Sequence, residues 1–178
     1  LEKLRFCSSG TEAVLNALRV ARAFTGRAKV AKFEGAYHGI DDSALVSYLP
    51  PLGPELGPEG KPQGVASSAG LMAHTLAETI ILPFNDAEAC AAIIEAHGPE
   101  LAAVIVDPLS TAAGLTLPED EFLTRLRQLT DRGGALLIFD EIVSFRFGPS
   151  GTHGAYRVRP DLICLGKVIA GGTPGAVF

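Results

Sequence analysis

The chain has 178 residues, 47% of them hydrophobic, with a formal net charge of −5. That length carries one domain with a real core, and that hydrophobic content without low-complexity tracts excludes a disordered chain. The acidic balance and the lack of a basic cluster argue against a general nucleic-acid binder.

In chain order, Ser9-Gly10-Thr11-Glu12 has the spacing of a capping box, with Ser9 as N-cap. A helix follows, with apolar Val14, Leu15, Leu18, Val20, Ala21 and Phe24, and Gly26 as its stop. Its start is either an ordinary cap or a phosphate site, since free N–H groups, a glycine and two hydroxyls suit an anion. A strand is expected at 29–33. Glu34-Gly35-Ala36-Tyr37-His38-Gly39 is then a glycine-bracketed turn. Tyr37 either packs on the surface or stacks on a flat heterocycle, with His38 able to hydrogen-bond nearby. A brief strand is expected at 44–47. Residues 49–70, with Pro50, Pro51, Pro54, Pro58 and Pro62, form a long loop.

A strand at 79–82 leads through Asn85 or Asp86 as cap into a helix ending near His97, before Gly98-Pro99. A buried strand at 101–106 ends at Asp107-Pro108, and a loop spans 110–114. Pro118-Glu119-Asp120-Glu121 is expected to open a helix with acids in its first turn, closing near Arg132. Two short apolar runs then read as buried parallel strands. Residues 135–139 end in Asp140-Glu141, and residues 162–165 end in Gly166-Lys167. The alternation predicts an α/β fold, a mostly parallel central sheet flanked by helices.

Ligands of such sheets bind outside the carboxyl ends of the strands, where Asp140 and Lys167 fall. An Asp and a Lys there suit pyridoxal phosphate. The Lys forms a Schiff base with its aldehyde and the Asp holds its ring nitrogen protonated. A structural ion pair or two solvated loop residues are the plainer alternatives. No G-x-G-x-x-G follows a strand and no Walker-type Gly-Lys-Ser/Thr occurs, so nucleotide binding has little support. Cys7, Cys90 and Cys164 lack metal-ligand spacing, and their odd, sparse count fits a reducing cytosol. No apolar run approaches membrane-spanning length and no signal peptide is visible. Leu1-Glu2-Lys3 carries no initiator Met and Gly175–Phe178 ends within a strand-like run, so an internal piece of a longer enzyme is expected.

Ser-Gly-Thr-Glu-Ala at 9–13, Glu-Gly-Ala-Tyr-His-Gly at 34–39, Phe-Asp-Glu at 139–141 and Leu-Gly-Lys at 165–167 together resemble the class III pyridoxal phosphate aminotransferases. Within that family the resemblance is strongest to glutamate-1-semialdehyde aminomutase and the β-phenylalanine-type aminotransferases. It implies that residues 1–178 are a partial large, cofactor-binding domain of a fold type I enzyme, without its N-terminal segment and C-terminal small domain. It implies a cytoplasmic homodimer acting on a small-molecule amino donor and a keto acid acceptor, with no metal. Lys167 would carry the cofactor and move the proton, and Asp140 would pair with the ring nitrogen. Ser9, Gly10 and Thr11 would bind the phosphate, Tyr37 and Ile142 would cover the two ring faces, and His38 would lie at the cofactor.

Departures from the family pattern bear on specificity. Asp107-Pro108 replaces the usual Glu-Pro, which leaves Asp107 a supporting role. Ser110-Thr111-Ala112 lacks the acid that gates a substrate-binding Arg in many ω-aminotransferases. Val143 stands where a Gln is common, and Arg146 is either a structural anchor, the preferred reading, or the partner of a carboxylate. The expected reaction is amino transfer. A 2,1-aminomutase is the alternative on the same site, and a non-catalytic phosphate-binding module is the alternative of another class.

Overall fold

The computed structural model describes residues 3–119 and 121–178. Strand β1 (Phe6–Cys7) and helix α1 (Gly10–Thr25) open the chain, followed by β2 (Lys29–Phe33) and the single-turn helix α2 (Asp42–Leu45). Helix α3 (Ala73–Glu78) runs into β3 (Thr79–Leu82), and α4 (Ala87–His97) precedes β4 (Leu101–Val106). Then come α5 (Phe122–Gly133), β5 (Leu136–Asp140), α6 (Gly151–Ala155), β6 (Leu162–Cys164) and β7 (Ala176–Val177). Strands β2 to β6 form one parallel sheet in the order β3-β2-β4-β5-β6, and β1 pairs antiparallel with β7 beside it.

Strand β4 explains the layering. All six of its residues, Leu-Ala-Ala-Val-Ile-Val, are buried. That unbroken apolar run needs cover on both faces, as in a sheet sandwiched between helices. On one face α1 packs Val14, Ala17, Leu18 and Ala21 against Val30, Ala103, Ile105 and Ile138. On the other, α4 and α5 cover Ala31, Phe33, Val104, Leu137 and Phe139. Here Phe33 meets Phe84 and Phe122 edge-on, at centroid distances of 5.5 and 5.8 Å. Because side chains alternate along a strand, Ile138 and Phe139 enter opposite cores. Among the described residues no helix is long and apolar enough to cross a membrane.

The capping box of α1 forms in a shifted version. Ser9 Oγ accepts from the Glu12 N–H at 3.2 Å, and Glu12 Oε2 accepts from the Ser8 N–H at 2.7 Å. Gly26 closes the helix in the left-handed conformation. Val20 and Phe24, read with the apolar stripe, instead face solvent.

Two expected elements differ. Residues 44–47 are not a strand: Asp41 caps α2 by accepting from the Ser43 N–H, and a cap signal outweighs so short an apolar run. Only Val46 makes an isolated bridge, with Ala66. Helix α5 begins at Phe122 rather than Pro118. Asn85 takes the backbone of the preceding segment, donating to the Leu117 carbonyl and accepting from the Glu119 N–H. Glu121 is left-handed, so no acid lies in the first turn; Asp120 is outside the described residues.

Truncating Phe33 to Ala should cost about 3–5 kcal/mol, the range for a buried aromatic in a packed core. Urea denaturation of both proteins would read this as a lower midpoint at unchanged slope.

Candidate active site

The chain runs on from β2 toward the β3 edge of the sheet and from β4 toward the β6 edge. The two directions part between β2 and β4, leaving a crevice outside their carboxyl ends. A cleft of about 460 Å³ lies at these ends. All the residues singled out above line it: Ser9, Gly10, Thr11, Tyr37, His38, Asp140, Ile142 and Lys167. They come from the start of α1, the turn after β2, the end of β5 and the turn after β6.

Asp140 is 5% exposed and makes two defined contacts. Its Oδ1 accepts from the Ile142 N–H at 3.1 Å, and its Oδ2 lies 2.7 Å from Nδ1 of His38. A carboxylate can only accept, so the imidazole proton is on Nδ1 in that bond. The His38 side chain is fully buried, and among the described residues its Nε2 has no hydrogen-bond partner.

Gly39, at φ +95°, lets the turn after β2 touch the start of α1. A Cβ at Gly39 would sit 2.6 Å from Thr11 Oγ1 and 2.8 Å from Thr11 Cα. Thr11 Oγ1 instead accepts from the Ile40 N–H at 3.3 Å. Helix geometry leaves the Gly10 and Thr11 N–H groups without intrahelical acceptors at the cleft. Gly10 also makes room for Ile142, whose Cδ1 would lie 2.7 Å from a Cβ there.

Tyr37 stands at the mouth, 38% exposed, with its ring 4.7 Å from that of Tyr48. Lys167 is exposed within the cleft and left-handed, at φ +50°. That conformation is uncommon for a residue with a Cβ and aims the backbone sharply after β6.

A model of the family Aminotransferase class-III matches residues 1–178. The chain belongs to the class III aminotransferase family. It is 47% identical over 179 residues to a glutamate-1-semialdehyde 2,1-aminomutase of Pyrobaculum calidifontis, a match covering 100% of this chain and 39% of that protein. Among solved structures it is similar to an omega-transaminase from Sphaerobacter thermophilus, at a TM-score of 0.94 and 42% identity over 99% of this chain and 40% of that one. It is also similar to a glutamate-1-semialdehyde aminomutase from Pseudomonas aeruginosa in complex with PMP. There the TM-score is 0.84 and the identity 35%, over 99% of this chain and 37% of that one. The chain thus spans about 40% of the length of the curated relatives that it matches.

Of the other residues at the cleft, Tyr48 escaped the reading of the sequence, whereas Asp107 was given a supporting role there. Tyr48 and Thr111 line it. Asp107 braces the loop after β4, accepting from the Leu109 and Thr111 N–H groups and from the Thr111 hydroxyl. Glu141, fully buried, turns away from the cleft and accepts from the Thr152 and His153 N–H groups at the start of α6. The Arg146 side chain, expected to be an anchor, is exposed and makes no hydrogen bond or ion pair among the described residues.

Lys32 is the least anticipated. It sits in β2 at 1% exposure, and its Nζ donates to the Val46 carbonyl at 2.6 Å. Burial pushes its pKa down to about 7, with Glu34 partly opposing the shift. Burial likewise pushes the Glu34 carboxyl up, against the attraction of Lys32. The only sequence signal was a lysine interrupting a buried run, Val30-Ala31-Lys32-Phe33.

Between about pH 7 and 10.5 the unfolded lysine holds a proton that the folded one has released, so Lys32 makes stability rise with pH. Below that window the burial penalty is present in full. Denaturation of wild type and Lys32→Met across this range should show the variant's advantage shrinking as pH rises.

Proposed function

We propose that this chain supplies the cofactor-binding domain of a pyridoxal phosphate-dependent enzyme. That enzyme moves an amino group between an amino acid or amine and a keto acid or aldehyde. One observation carries the reading: a single cleft gathers an exposed lysine, a buried carboxylate braced by a histidine, and a glycine-opened helix start.

These groups fit the cofactor's chemistry. The N–H groups and hydroxyls at the start of α1 suit a phosphate dianion. Asp140 keeps lone pairs beyond those engaged by His38 and Ile142, so it can accept from a protonated ring nitrogen. Tyr37 and Ile142 offer an aromatic and an aliphatic surface to the two ring faces. Pyridoxal phosphate bound there supplies an electron sink for the charge left when a proton leaves the amino-bearing carbon. Lys167 would hold the cofactor through its aldehyde carbon, and its amine is the base placed to move that proton. Asp140 keeps the ring nitrogen protonated, and the start of α1 holds the phosphate end.

A second reading, a 2,1-aminomutase, draws on the name of the Pyrobaculum relative. In that case the amino group returns to the neighbouring carbon and no external acceptor is consumed. In either case the enzyme is a cytosolic homodimer. Phe6, Phe24 and Leu52, exposed on this chain, are among the apolar groups that further chain or a partner subunit would cover.

The test is to incubate the full-length protein with pyridoxal phosphate, reduce with borohydride and map the modified peptide by mass. The expected product is a phosphopyridoxyl adduct on Lys167, absent from Lys167→Ala. A folded protein without that adduct points instead to a phosphate-binding module. Turnover with and without a keto acid separates the two enzymatic readings, since an aminomutase needs none. Asp140→Asn should lower turnover by at least about 10²-fold, since a neutral amide does not hold the ring nitrogen protonated.

A further inference from the structure

The backbone that brings Tyr48 to the cleft is strained on both sides of it. Ser47 and Leu49 are left-handed, at φ +52° and +43°. L-residues keep that conformation only where their surroundings over-determine it, and such strain collects at ligand clamps. Here the surroundings do so. Ser47 is fully buried, and all its polar groups are engaged. Its N–H donates to the Val65 carbonyl at 2.7 Å, and its carbonyl accepts from the Gly35 N–H at 2.9 Å. Its Oγ donates to the Gln63 carbonyl at 3.2 Å and accepts from the Val65 N–H at 3.0 Å. On either side, the Val46 carbonyl accepts from buried Lys32 and the Tyr48 carbonyl from Ser67 Oγ, both at 2.6 Å. Tyr48 is thus a fixed part of the cleft wall. Its ring meets that of Tyr37 at 4.7 Å with a tilt of 50°, an aromatic corner in the cleft.

The rest of the lining shows what such a wall would meet. Val143, 45% exposed, and Ala112 add apolar surface to the same cleft. Its ionisable groups, apart from the tyrosines, are Asp107, Asp140, His38 and Lys167. The last three are taken up by the cofactor reading. Asp107 has both oxygens occupied by the Leu109 and Thr111 N–H groups and the Thr111 hydroxyl. Among the described residues no Arg and no second Lys lines the cleft. An acidic substrate group held here would therefore lose water and gain no cation, with Asp107 nearby to repel it. We propose that Tyr48 is a specificity-determining residue for the amino donor. It selects donors that turn an aromatic or bulky alkyl group, rather than an acidic one, toward this domain. The inference rests on the cofactor reading above and deepens it to a class of substrate.

The fixed backbone matters to the selection. A wall that cannot repack does not close around a small group, so a methyl leaves the ring of Tyr48 uncovered where a phenyl covers it. The gain comes from apolar area removed from water, and it belongs to the ring rather than to the tyrosine hydroxyl.

The experiment uses the full-length protein loaded with pyridoxal phosphate and a set of primary amines. The amino-bearing carbon carries a phenyl, a methyl or a carboxyethyl group, and its other arm is a methyl or a carboxymethyl group. Conversion of bound pyridoxal phosphate to pyridoxamine phosphate, followed by absorbance, gives kcat/KM for each donor. With whichever arm it accepts, wild type should favour phenyl over methyl by at least about tenfold, and carboxyethyl no more than methyl. Tyr48→Phe should keep the phenyl-to-methyl ratio within about twofold, and Tyr48→Ala should cut it at least about fivefold. A tyrosine that serves packing, or only props Tyr37, would slow all donors alike. That result overturns the proposal, as does a ratio lost in Tyr48→Phe. So does a wild type that prefers methyl or carboxyethyl, or that holds the cofactor and converts no phenyl donor. Should Tyr48→Ala not fold, Tyr48→Gln keeps the bulk and brings polar atoms to the wall. It should cut the same ratio at least about fivefold, and an unchanged ratio overturns the proposal. Absence of the borohydride adduct on Lys167 defeats the cofactor reading itself, a separate result obtained before any donor is added.

Discussion

The structure depends on keeping one carboxylate, Asp140, almost wholly out of water at the end of a central strand. A carboxylate there is tolerable only with donors in place, and the fold supplies two by different routes. The Ile142 N–H comes from the chain just beyond β5. The His38 Nδ1–H comes from the far side of the switch point, on the turn after β2. That turn must therefore be held in place, which explains much of its surroundings. Gly39 lets it touch Thr11, the Gly35 N–H donates to the Ser47 carbonyl, and Lys32 donates to the Val46 carbonyl. Gly39 brings the turn after β2 against the start of α1, and Gly10 leaves room there for Ile142, whose N–H pairs the carboxylate.

Alternation along β5 divides the labour of the acid pair. Asp140 faces the cleft, whereas Glu141 is buried on the other side and collects N–H groups at the start of α6. Gly151, at φ +66°, stands where any Cβ would collide with Glu141 Oε2. One acid thus lines the cleft and its neighbour braces α6, and neither could take the other's place without leaving donors unpaired.

How much of this was legible depended on how local each signal is. Asp140 and Lys167 followed from two apolar runs with charged ends, because strand burial and strand-end placement are written in consecutive residues. The cap of α1 was legible for the same reason. What failed required knowledge of distant neighbours. The start of α5 is displaced by Asn85, more than thirty positions earlier. Helix α3 has no side-chain cap to announce it, its N-cap being Met72. Lys32 passed as part of the strand at 29–33, since its interruption of an apolar run is a weak signal and the residues of α1 and β4 that enclose it are distant in sequence. His38 was placed at the cofactor, but its orphaned second nitrogen appears only once both cores are packed.

The pairing of His38 with Asp140 spans 102 positions of chain. Contacts of such long range form only after large loops close, and the conformational entropy of closure must be met before the contact returns anything. During synthesis the segment from α1 through the turn after β2 emerges before β4 and β5, with the His38 imidazole still unpaired and the turn loosened by its glycines. The cleft is therefore a late product of folding, assembled when β4 and β5 dock beside β2. A chain stalled before β5 would hold a helix and a strand edge but no place for a ligand, which makes ligand capture itself a report that the sheet has closed in the right order.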